Sequence, residues 1–259
     1  MLTISLPIFN TMKRLRQILL LMLSVIIGGV SLVWMKSSLA HDNGDWRTAS
    51  RESAGIAPDP AQTKEAVVQV YAARAWSWRG IFGVHTWISV KPTNAEQFAV
   101  YEVIGWRAYR GMSAVSISNR PADGRWFGAM PLLLVDLRGD GVDQVIQKID
   151  IAAKKYPFPN EYRVWPGPNS NTFTAYVARA VPELKLDMPP TAIGKDYLTG
   201  NTLVAPAPSG TGYQFSLFGL LGILAGKEEG IEVNVLGLTF GVDPADLAVK
   251  LPALGRLTP

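Results

Sequence analysis

The sequence predicts an α+β fold, an antiparallel sheet packed with helices, preceded by one N-terminal transmembrane helix. Three observations carry this. Runs rich in β-branched and aromatic residues at 84–91, 98–106 and 114–118 follow one another across short breakers, PTN, YRG and RPADG, as the strands of an antiparallel sheet do. Val142, Val145, Ile146, Ile149 and Ala153 recur at helical spacing, with Asp140 and Asp143 ahead and Lys154 and Lys155 behind, the charges that suit the two ends of a helix. Finally, 18–35 is an uncharged apolar run preceded by Lys13, Arg14 and Arg16, just long enough to cross a bilayer.

The positive charge before that run places residues 1–17 in the cytoplasm and sends the rest of the chain outward. Ser38, Leu39 and Ala40 ahead of His41 also fit a signal-cleavage pattern, but the apolar run exceeds the usual signal core and Trp34 suits the far interface, so a retained anchor is expected. Residues 36–63 turn polar and read as a linker, leaving 64–259 as a single extracytoplasmic domain.

Within that domain, 65–71 alternates and is β-branched, a first strand. In 84–91, His85, Trp87 and Ser89 share one face and Thr86, Ile88 and Val90 the other, while Glu102 lies on the face of Val100. The continuous apolar run 132–137 predicts a strand buried on both faces. Pro166, Gly167 and Pro168 forbid a helix before about Asn169, so Ser170 or Asn171 is expected to cap a helix that runs to about Ala180 and stops at Pro182. The late apolar runs 215–225 and 231–242 are too short, or too interrupted by Glu232 and Asn234, to span a membrane. They are expected to cover the sheet, with a patch on the membrane surface beside the anchor as the alternative.

The formal charge of +4 is modest and partly spent at the first apolar segment, which argues against a nucleic-acid partner. With no cysteine and two histidines, disulfides and a standard zinc site are excluded; neither a phosphate-cradling loop nor a dinucleotide fingerprint is present, so no cofactor and no metal are expected. Arg138, Gly139 and Asp140 spell an adhesion triplet that a strand-to-helix turn explains as well.

Ser170, at the head of its helix, admits two readings. It caps the turn with Asn169 and Asn171, or it is a nucleophile set beside unpaired N–H groups where a developing alkoxide is stabilised. The string N-S-N-T-F, 169–173, resembles the N-C-x-x-F heading the nucleophile helix of circularly permuted papain-like proteins, the lecithin:retinol acyltransferase and NlpC-type group, with serine in place of cysteine. In that group a strand histidine precedes the nucleophile, as His85 does here. The blocks VHTWISVKP, YRVWPGPNSNTF, PPTAIGKDY and LVAPAPSGTG are similar to bacterial proteins of the domain of unknown function 3750 family, which implies a bacterial envelope protein and no established activity.

Together these point to Ser170 as nucleophile, His85 as base and Glu102 as the group orienting the ring, with Asn169, Asn171 and Lys195 toward substrate. The expected function is serine-dependent acyl transfer or amide hydrolysis on a lipid or cell-wall substrate, at the inner membrane facing the periplasm. The alternative is a non-catalytic binding or structural module on the same fold. The test is whether the Ser170 hydroxyl and the His85 ring share an open cleft.

Overall fold

A computed structural model describes residues 45–200 and 202–259, together with 11–14, 16, 17, 20, 21, 23, 24, 27–29 and 31. Much of the expected anchor, and all of the cleavage pattern with His41, lies outside the described residues. Among the described residues no helix is long and apolar enough to cross a membrane.

The β-branched runs pair as the alternation predicts. β1 (Val67–Arg74), β2 (Val84–Lys91), β3 (Ala99–Val103), β4 (Val115–Ser118) and β5 (Leu132–Arg138) form an antiparallel sheet in the order β4-β3-β2-β1-β5. The short helices α1 (Arg79–Phe82) and α2 (Gly105–Ala108) lie in its connections. The expectation for 132–137 is corrected: β5 is the sheet's edge and only Val135 in it is buried, so its apolar run reflects an edge half covered, not a central strand.

Period 2 gives the sheet two different faces. Val68, Val70, Ile88, Val90, Tyr101 and Val103 face α3 (Val142–Lys154) and α4 (Ser170–Ala180), which bury Ile146, Ile149, Phe173 and Val177 against them in the main core. The opposite face carries Tyr71, Ala73, Trp87 and Val100 and is closed by Trp126, Ala129 and Leu133. On this side residues 53–57 dock onto Asp123, whose carboxylate accepts from the Ser53 hydroxyl and from the Ile56 and Ala57 N–H groups.

A one-turn 3-10 helix at Pro182–Leu184 follows α4, after which seven more strands make a second antiparallel sheet, each paired with its chain neighbour. These are β6 (Val204–Pro206), β7 (Gly212–Leu217), β8 (Leu221–Gly226), β9 (Gly230–Val235), β10 (Leu238–Asp243), β11 (Ala248–Leu251) and β12 (Gly255–Leu257). The late apolar runs therefore do not cover the first sheet with their apolar side. They build a sheet of their own whose buried face is polar, with Gln214, Ser216, Glu232, Asn234, Thr239 and Lys250 inside.

Candidate functional site

β2 and β3 bring two of the expected site residues together. His85 Nε2 stands 2.8 Å from Glu102 Oε2, and both side chains are buried. Arg120, in the turn after β4, donates to both oxygens of the same carboxylate, at 2.9 and 3.2 Å, while its guanidinium lies 4.7 Å over the Trp87 ring. The His85 ring stacks on Trp126 at 3.6 Å between centroids, nearly parallel. Burial pushes the Glu102 carboxyl up, but the hydrogen bond from His85 and the charge and hydrogen bonds of Arg120 outweigh it and hold it at about 2. Burial pushes His85 below its usual range more strongly than Glu102 pulls it up. The ring is therefore a neutral donor to an ionised carboxylate, with Arg120 supplying the compensating charge.

Ser170 is not part of this group. His85 pairs across β1–β2 with Ala73 and shares the Trp87 face, whereas the neighbouring Thr86 points the other way, its hydroxyl 3.0 Å from Asn171 Oδ1 and 3.4 Å from the Ser170 carbonyl. The sheet itself thus lies between the histidine ring and the head of α4. Ser170 is 3 % exposed, and among the described residues its hydroxyl makes no hydrogen bond, to His85 or to any other group.

The cap belongs to Asn169, one residue before the expected position. Its Oδ1 accepts from the N–H groups of Asn171 (2.9 Å) and Thr172 (3.1 Å), and the Thr172 hydroxyl accepts from the Asn169 N–H, a reciprocal capping box. Asn169 Nδ2 donates to the carbonyls of Val164 and Ile193, and Asn171 Nδ2 to those of Val84 and Ile193. An amide NH2 has two hydrogens, so both asparagines are fully used and neither can polarise a substrate carbonyl without giving up a structural bond. Gly194 is obligatory beside them: its φ is +97°, and a Cβ there would stand 2.3 Å from Asn169 Nδ2.

A family model described as "Protein of unknown function (DUF3750)" matches residues 65–197, just over half of the chain. The chain belongs to this family. No curated protein and no solved structure matches it. The DUF3750 region takes in the first sheet, both long helices and the Asn169 cap, and ends at a second charged cluster. There Lys195 is buried and paired with Glu232 of β9, with Asp196 Oδ1 3.6 Å away. Lys250 of β11 reaches Glu232, Asp187 and the Glu229 carbonyl at 2.8, 2.6 and 2.9 Å. Burial lowers the Lys195 ammonium's pKa, yet Asp196 and Glu232 reverse this and keep it charged. Lys195 therefore joins the family region to the second sheet and does not line a cleft.

Among the described residues no group of three or more histidines and carboxylates is placed to hold a metal. Arg120 was visible in the sequence only as part of a turn, although a cation next to a strand bearing an inward glutamate is a signal for a buried pair. Beside it a cavity of about 560 Å3 is lined by Asp59, Glu96, Phe98, Arg120 and Asp123.

Proposed function

We propose that this DUF3750 protein is a bacterial envelope protein, held in the inner membrane by residues 18–35 with its body in the periplasm, and that the body is a non-catalytic binding or structural module. The observation that carries this reading is the placement of Ser170 and His85 on opposite faces of the first sheet. A serine is a weak nucleophile without a base in hydrogen-bond reach. Here the His85 ring, although oriented by Glu102, lies across the sheet from Ser170, and the serine is buried. The order of histidine strand, further strands, helix and Ser170 helix supports a permuted papain-like frame, one that keeps the architecture without assembling the pair. The cavity beside Arg120 is where a lipid or cell-wall ligand would lie.

The rival, serine-dependent acyl transfer or amide hydrolysis, is separated by labelling the full-length protein with a fluorophosphonate probe. The proposal expects no labelling; a signal in the wild type that disappears in Ser170→Ala would establish the enzyme instead.

A further inference from the structure

The second sheet is packed the wrong way out for a protein surrounded by water. Its outer face is apolar from edge to edge. One cross-strand row runs Val204, Phe215, Ile223, Val233, Phe240, and a second runs Tyr213, Ala225, Ile231, Val242, Val249, Leu257. Neither row contains a charge, and Tyr213, Ile223 and Ile231 are exposed by half or more. Inner polar positions alternating with outer apolar ones is the pattern of strands that face lipid. The strands have at most six residues in this sheet, fewer than the about nine needed to span a bilayer, so the pattern suits a surface lying on lipid.

The two ends of the sheet differ as well. The turns at one end are Phe218–Leu220, Leu236–Gly237 and Pro252–Leu254, without a charge among them. The opposite end carries Lys227, Glu228 and Asp246. Phe218 and Leu236 hold left-handed backbone, φ +54° each, where glycine or asparagine would be unstrained, and both side chains are exposed. Leu247 at the opposite end is also left-handed and exposed, but it stands beside Asp246, whereas Phe218 and Leu236 extend the uncharged outer face at an end without charges. At the same end the indole N–H of the half-exposed Trp165 donates to the Leu236 carbonyl, an aromatic placed as in a membrane-interface belt. The apolar N-terminal helix meets the body here too: Gly29 is buried, and a Cβ on it would stand 3.1 Å from Leu254 Cγ.

We infer that the outer face of the second sheet is a lipid-contacting surface, with the Phe218–Leu236–Leu254 end deepest in the headgroup and acyl boundary beside the anchor. The occupant is the bilayer: the charge-free turns, the exposed Phe218 and Leu236, the half-exposed Trp165 and the N-terminal helix at Leu254 all gather at one end of the face, as a surface dipping into lipid beside an anchor requires and a flat self-association of the whole sheet does not. A single apolar helix and an adjacent apolar patch then act as two signals that fix the body's orientation on the membrane. The inference rests on the anchored reading only for the nearness of the bilayer.

The absence of cysteine makes the test direct. In full-length protein reconstituted in phosphatidylethanolamine–phosphatidylglycerol vesicles, single variants Ile223→Cys, Leu236→Cys and Lys154→Cys carry an environment-sensitive fluorophore. Doxyl-labelled lipid should quench the probe at 236 most, that at 223 clearly, and that at 154 on α3 not at all. Protein that stays with the vesicles through an alkaline wash, while the 223 and 236 probes answer only to aqueous iodide, sinks the lipid surface and leaves the anchor standing. Cross-linking between Cys-substituted 223 positions of two copies sinks it in favour of a dimer. Lipid quenching before a wash that releases the whole chain supports the surface and refutes the anchor.

Discussion

Asn169 and Ser170 are adjacent, yet the structure assigns them opposite weights. Removing the Asn169 side chain breaks the capping box, takes the side-chain donor from the Val164 carbonyl and leaves Ile193 with Asn171 alone, so Asn169→Ala should cost about 2–4 kcal/mol. Ser170→Ala removes a hydroxyl with no hydrogen-bond partner among the described residues and should stay within about 0.5 kcal/mol. Urea titrations of the two variants check the order, and the reverse order would restore Ser170 as the working residue. Glu102 gives a prediction of a different kind. Its folded pKa of about 2 lies below its ordinary 4.5, so the unfolded chain takes up the proton first. The group's contribution is present above pH 4.5 and is lost as the pH falls toward 2, on the order of 3 kcal/mol. Glu102→Gln should flatten that acid limb in thermal melts while costing roughly 2 kcal/mol at neutral pH through the weakened bonds to His85 and Arg120. An acid limb as steep as the wild type's would show that the carboxylate is not held by those partners.

At the scale of elements, the first sheet and its helices were legible because period 2 and period 3.6 each name a buried face. The segregation of His85 with Trp87 and of Thr86 with Ile88 was likewise readable from 84–91, and the structure bears it out. Which of those faces α4 would cover was not, since alternation does not say where a helix fifteen residues after α3 will land. That single ambiguity decided the candidate site. The second sheet reversed its expected orientation for a related reason: Lys195, Asp196 and Arg179 present charge to it, so the polar sides of β7, β9 and β11 turn inward to Gln214, Glu232 and Lys250. Glu232 is the joint of that contact, serving two buried lysines. Glu232→Ala should lower stability by about 3–5 kcal/mol, because two ammonium groups lose their shared partner. Denaturant midpoints measure it, and a loss below 1 kcal/mol would mean that Asp187 and Asp196 carry the charge instead.

Across the whole molecule, family membership covers the first sheet and its helices, while the second sheet and the N-terminal helix lie beyond residues 65–197. The order of elements along the chain and the assembly of chemistry from them are separate matters: a strand histidine followed by a helix serine keeps its place in the sequence when the two face away from each other. The central claim is that His85 and Ser170 do not meet. With only two histidines in the chain, the His85 ring is readily followed by NMR across a pH titration. In Ser170→Asp a carboxylate on the far side of the sheet should leave the His85 titration where burial and Glu102 set it, below the ordinary imidazole range and superimposable on the wild type. A clear upward shift of the His85 pKa in that variant would place the two side chains in contact and contradict the account.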